Sequence, residues 1–141
     1  MLGCLHHHGR TSWISPSMVE AYCQFHRQGY AHSVEVWAER RLVGGLYGVQ
    51  IGAFFAGESM FHRETDASKV AFFHLVQKLR ALGVVLFDSQ VLSEHTARLG
   101  AFEISRAEYL RRLSEALASD VPQARWEEES CHYQQMPSQD S

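Results

Sequence analysis

The sequence predicts an α/β fold: a mixed, mainly antiparallel sheet flanked by helices. Three observations carry this. Three short strand-like runs follow one another between residues 33 and 60, separated only by brief turns. A long amphipathic helical pattern then stands before a fourth apolar run, so that helix and strand alternate. Finally, 141 residues of which 45% are hydrophobic suit one domain with its own core.

Taken in order, residues 1–12 (MLGCLHHHGRTS) read as an irregular leader. Its adjacent histidines have no following Cys or His at metal-site spacing, so a polar leader is the simpler reading. A helix is expected from Ser15-Pro16, because proline suits a first helical turn and Ser17 with Glu20 has capping-box spacing. Met18, Tyr22 and Phe25 form its apolar stripe, and Gly29 is its stop. Ser33–Ala38 alternates, with Val34 and Val36 on one face, and Glu39–Arg41 is a polar turn. Leu42–Gln50 is a second strand whose glycines imply bulging or close backbone approach. After the Ile51-Gly52 turn, Ala53–Met60 is the third.

Residues 67–82 give the clearest helix: Val70, Phe73 and Val76 recur at helical spacing, widened by Leu75, Leu79 and Leu82. Gly83 ends it. Val84–Val91 (VVLFDSQV) is strongly apolar and reads as a central strand, joined to its neighbour by a right-handed crossover. His95–Leu99 is a short helix, and Ser105–Ala116 another, with Ser105–Glu108 as a capping box. The domain is expected to span 13–117. Residues 118–141 are expected to be an acidic, flexible tail.

Charge is uneven. Residues 1–114 carry twelve Lys/Arg against ten Asp/Glu, while 115–141 carry one against six. The body is mildly basic, which permits contact with RNA phosphates without demanding it. Three cysteines without a CxxC pair argue against a disulfide framework or zinc ribbon and for a reducing cytosol. No apolar run approaches the roughly 20 residues of a membrane helix, and none resembles a signal peptide.

Chemistry is suggested by polar groups inside apolar strands. Alternation places Leu86, Asp88 and Gln90 on one face of the fourth strand, and Phe54, Ala56, Glu58 and Met60 on one face of the third. Half-buried carboxylates need compensation. A strand-end hydrogen bond or arginine supplies it in the plain reading; an active site is the other. The order helix, three strands, helix, strand, helix is that of the N-acetyltransferase-like (GNAT) superfamily core. Such enzymes hold coenzyme A pyrophosphate on a glycine-rich turn before the main helix. Here Phe61–Lys69 (FHRETDASK) contains no glycine, which argues against a coenzyme A-dependent acetyltransferase.

The blocks WISPSMVEAYCQFHRQGYAHSVEVW, LVGGLYGVQIG, FAGESMF, ASKVA, DSQVLSEHTARLGA and ISRAEYL resemble, in order, those of leucyl/phenylalanyl-tRNA–protein transferases from about Trp13 to Leu113. The resemblance implies an aminoacyltransferase that takes Leu or Phe, less readily Met, from aminoacyl-tRNA. The acceptor would be the α-amine of a protein beginning with Arg or Lys, marked thereby for N-end-rule degradation in the bacterial cytoplasm. The aminoacyl ester is already activated, so no cofactor or metal is implied and no Ser89 or His95 nucleophile is needed. A monomer is expected. Asp88 and Gln90 match the family's DxQ pair, which orients the attacking amine, and Glu58 matches the acid that holds the cationic acceptor. Met60 matches a residue of the apolar donor pocket, for which Phe55, Leu46, Leu75 and Phe87 are further candidates, each with core packing as its alternative. A bulge near Gly57 would be needed to turn Phe55 towards the pocket. Trp13 and Tyr22 match aromatics beside the tRNA 3′ adenosine. The family carries a smaller preceding domain, expected to be missing here because only twelve residues precede Trp13. A non-catalytic remnant is therefore the alternative to an active enzyme.

Overall fold

The computed structural model describes residues 15–121 and Trp126; the leader at 1–12, Trp13 and the remainder of the tail lie outside the described residues. Helix α1 (Pro16–Arg27) leads into strands β1 (Ala31–Ala38), β2 (Arg41–Ile51) and β3 (Phe54–His62). Helix α2 (Ala67–Ala81), strand β4 (Leu86–Asp88), helix α3 (Glu94–Arg98) and helix α4 (Arg106–Leu117) follow. The sheet order is β1-β2-β3-β4, with β4 parallel to β3 and the other pairs antiparallel. A parallel neighbour requires a crossover, and α2 provides it.

Alternation sends adjacent residues to opposite faces. Leu46, Phe55 and Phe87 pack with Ala71, Leu75 and Leu79 of α2. Their neighbours Tyr47, Phe54 and Leu86 face the other way, Tyr47 against α1 and the other two against α4. Helices therefore cover both faces, and α1 and α4 share one of them. Gly44 lets α2 approach closely: a Cβ there would lie 2.6 Å from the Ala67 Cβ.

Four local expectations are corrected. The cap of α1 is Ser15, whose hydroxyl accepts from the Met18 N–H, while Ser17 lies inside the first turn and bonds to Ser15. The inward stripe of α1 keeps the expected Tyr22 but joins it to Val19 and Cys23 in place of Met18 and Phe25. In α2 the buried stripe is Ala67, Ala71, Leu75 and Leu79, and Phe73 is 59% exposed. Leu75 and Leu79 are buried as expected, but close approach to Gly44 puts the small Ala67 at the start of the stripe, which Phe73 does not join. The run Val84–Val91 forms only a three-residue strand at the sheet edge, not a central one. Its backbone turns at Gln90 (φ 65), and Val85 and Val91 are 74% and 66% exposed.

Trp126, within the segment expected to be flexible, packs on the core. Its ring stacks on His32 at 4.4 Å, and its indole N–H donates to the Gln50 side-chain oxygen at 3.0 Å. His32 is 2% exposed. Burial lowers its pKa to about 4, aided by facing His26 and opposed by the hydrogen bond to the Gly29 carbonyl. An unfolded chain takes up this proton near 6.5, the folded one only near 4. Stability is therefore complete above 6.5 and is lost as pH falls from there towards 4, by up to about 3 kcal/mol. Urea unfolding across this range checks it, and His32→Phe is expected to flatten the dependence.

Candidate active site

The site begins with a slip in register. Tyr47 pairs with Ser59 but Gly48 pairs with Gly57, so Glu58 is the extra residue of a β-bulge. The bulge resets alternation: Met60 packs with the α2-side core, whereas the Glu58 carboxylate accepts a hydrogen bond from Tyr22 of α1. Strict alternation had placed the two side chains on one face, and the bulge overturns that. Burial first, then the bond to Glu58, raise the pKa of the Tyr22 phenol far above its usual range, which keeps it a donor.

A second break opens the cleft. β3 pairs with β4 only over Phe54–Ala56, so beyond Ala56 the edge of β3 separates from the chain that leaves β4. A cleft of about 1060 Å³ lies there. Glu58 and Asp88 both line it, with Leu46, Met60 and Phe87 as apolar wall. Phe87 is both wall and core, its ring crossing Phe55 at 5.5 Å and standing over Gly57, where a Cβ would lie 2.9 Å from it.

Asp88 shares the face of Leu86, as expected, and both its oxygens are engaged. Oδ1 accepts from the Gln90 backbone N–H and Oδ2 from the Tyr109 hydroxyl, each at 2.7 Å. The Asp88–Gln90 link thus runs through the main chain, and Gln90 itself is exposed on the cleft wall. Among the expected site residues, Asp88, Gln90, Glu58, Met60, Leu46 and Phe87 converge on the cleft. Phe55 and Leu75 do not: both are fully buried in the core, because the bulge falls after Phe55 and leaves it facing α2. Tyr22 does not line the cleft itself and meets it through two residues that do, bonding to Glu58 and packing edge-on against Tyr47 at 5.3 Å. Trp13 lies outside the described residues. Tyr109 is the residue that sequence reasoning missed. It sits on the inward stripe of α4 with Leu113 and Ala116, where any apolar group would satisfy the pattern.

Asp66 takes the N-cap position of α2 at φ 64, and its carboxylate accepts from the Lys69 ammonium at 2.6 Å. Among the described residues, no three His, Cys, Asp or Glu side chains gather as metal ligands would, and no helix is long and apolar enough to cross a membrane.

Comparison with protein families matches residues 1–114 to the leucyl/phenylalanyl-tRNA protein transferases, beginning ahead of Trp13. The leucyl/phenylalanyl-tRNA–protein transferase of Syntrophobacter fumaroxidans is 54% identical over 121 residues, 86% of this chain and 52% of its own length. That of Ruegeria pomeroyi is 56% identical over 106 residues, 75% of this chain and 50% of its own. The chain thus spans about half the length of the curated relatives it matches. Among solved structures, an acetyltransferase from Trypanosoma brucei superposes with a TM-score of 0.53 at 17% identity, over 74% of this chain and 87% of the other. At that identity the likeness is one of fold, and the fold is the N-acetyltransferase-like one.

Proposed function

Since this chain belongs to the leucyl/phenylalanyl-tRNA protein transferase family, we propose that it transfers Leu or Phe, less readily Met, from aminoacyl-tRNA to the α-amine of proteins beginning with Arg or Lys. It acts as a monomer in the bacterial cytoplasm and marks its acceptors for N-end-rule degradation. The observation that carries this reading is that Glu58, Asp88 and a patch of apolar wall line one cleft. The apolar wall of Leu46, Met60 and Phe87 suits the donor side chain, and Met adapts to both Leu and Phe. Glu58 is the counter-charge for the cationic acceptor.

The neutral α-amine attacks the ester carbonyl. A C–N bond forms, the ester C–O bond breaks, and the terminal ribose oxygen leaves as a hydroxyl with the proton lost by the amine. The ester supplies the activation, so the protein's task is orientation and stabilisation of developing charge. Asp88, with Gln90 beside it, meets the amine as it becomes cationic.

The test mixes the chain with labelled Leu-tRNA or Phe-tRNA and a protein beginning with Arg. Label is expected in that protein and not in one beginning with Gly. Glu58→Gln is expected to raise KM for the Arg acceptor by about tenfold, the scale of one charge-assisted hydrogen bond. No transfer by the chain, either alone or with the remainder of a longer relative added, would leave a non-catalytic remnant and overturn the claim of activity.

A further inference from the structure

We propose that Tyr109 is a positioning residue for the transfer reaction, fixing the Asp88 carboxylate in the orientation that meets the attacking amine. The inference rests on the role given above to Asp88. Its warrant is the way the two residues are held.

Helix α4 is anchored at both ends. Ser105 caps its start by accepting from the Glu108 N–H, and near its end the Ala116 carbonyl accepts from the Ala53 N–H at 3.0 Å. Between the anchors, Tyr109, Leu113 and Ala116 press on Ala53, Phe54 and Leu86. The Tyr109 ring therefore belongs to a packed stripe, for which a phenylalanine would serve equally. What a phenylalanine would lack is the hydroxyl, and that hydroxyl donates to Asp88 Oδ2 at 2.7 Å from 21 positions away in the chain.

The other oxygen is fixed independently. Asp88 Oδ1 accepts from the Gln90 N–H, which the left-handed backbone of Gln90 (φ 65) accompanies. A non-glycine residue held in that conformation costs about 1 kcal/mol or more and persists where the surroundings enforce it. Two donors, one from a strand-end turn and one from a helix, thus bind the two oxygens of a single carboxylate on the cleft wall. One donor leaves a carboxylate free to rotate; two fix its plane. The bond to Asp88, followed by partial burial, raises the pKa of the Tyr109 phenol, so it remains a donor throughout the neutral range.

Tyr109→Phe separates hydroxyl from ring. The expected result is a fall of about tenfold in kcat with KM for both substrates within about twofold, and an unchanged melting temperature, since misorientation acts on the reacting geometry and not on binding. On an Asp88→Asn background the same change is expected to add nothing. Tyr30→Phe, on the α1–β1 turn away from the cleft, is the control that keeps full activity. An unchanged kcat would overturn the proposal, as would the same tenfold loss on both backgrounds.

A second measurement does not depend on turnover. With tyrosines labelled at ring Cζ, the Tyr109 resonance, identified by its absence in Tyr109→Phe, is expected to move in Asp88→Asn while the Tyr30 resonance stays. If it stays as well, the contact does not exist in solution and the proposal falls. If it moves but the unsubstituted chain transfers nothing, the contact stands, and it is the reading of the site as a transferase that fails.

Discussion

Asp88→Asn is expected to slow transfer by about 10² to 10³-fold, the usual cost of removing one preorganised charged group from where charge develops. The amide is nearly isosteric with the carboxylate. Its oxygen can still accept from the Gln90 N–H, and the Tyr109 hydroxyl can turn to accept from its NH₂ group, so the two contacts at 2.7 Å have successors. What is lost is the negative charge facing an amine that becomes positive as the C–N bond forms. The loss should therefore fall on kcat, with KM for donor and acceptor little changed, because neither ground state carries that developing charge. Asp88 is half-buried and pairs with β3 only at the last rung of β4, so the melting temperature should move by a few degrees at most. Saturation kinetics with both substrates make the check. A variant as fast as the unsubstituted chain would remove Asp88 from the chemistry.

Much of this site was legible in the sequence because it depends on period-two alternation and on blocks short enough to read directly. Asp88 shares the face of Leu86 as alternation requires, and Leu46, Met60 and Phe87 reach the cleft. What was illegible depends on single non-local contacts. A bulge that makes Glu58 the extra residue is set by the pairing of β2 with β3, which no pattern within either strand records. It decides that Phe55 becomes core while Met60 and Glu58 part to opposite faces. The shortness of β4 was hidden for another reason: Val84, Val85, Val91 and Leu92 are as apolar as a buried strand, yet three of the four are exposed. The two that line the cleft beyond β4, Val91 and Leu92, carry apolar surface where no core exists. The hydroxyl of Tyr109 was invisible because its ring already satisfies the stripe of α4.

The largest effect on stability is expected from Gly48→Ala. At Gly48 the two strands draw together where their register slips, and a Cβ would lie 2.2 Å from the Ala56 carbonyl oxygen and 2.5 Å from the Phe55 ring. The ring is the fully buried centre of the core and the oxygen belongs to a paired strand, so neither can yield cheaply. Overpacking of this kind costs about 3 kcal/mol, a large share of the 5–15 kcal/mol that holds a domain folded. For a chain of this size that corresponds to a melting temperature lower by about 10 °C. Phe55→Leu on the same background removes the ring contact but not the carbonyl contact, so it should restore only part of the loss. Gly100→Ala separates crowding from backbone strain: Gly100 has φ 97 but nothing within 4 Å of its added Cβ, and about 1 kcal/mol is expected there. Equal losses at both positions would mean that conformation, not space, makes Gly48 necessary. Because Gly48 pairs with Gly57 beside the bulge, relieving the clash by shifting register would also displace Glu58 from Tyr22. Surviving Gly48→Ala molecules should therefore lose affinity for the cationic acceptor, linking the tightest point of the sheet to the acid that projects from it.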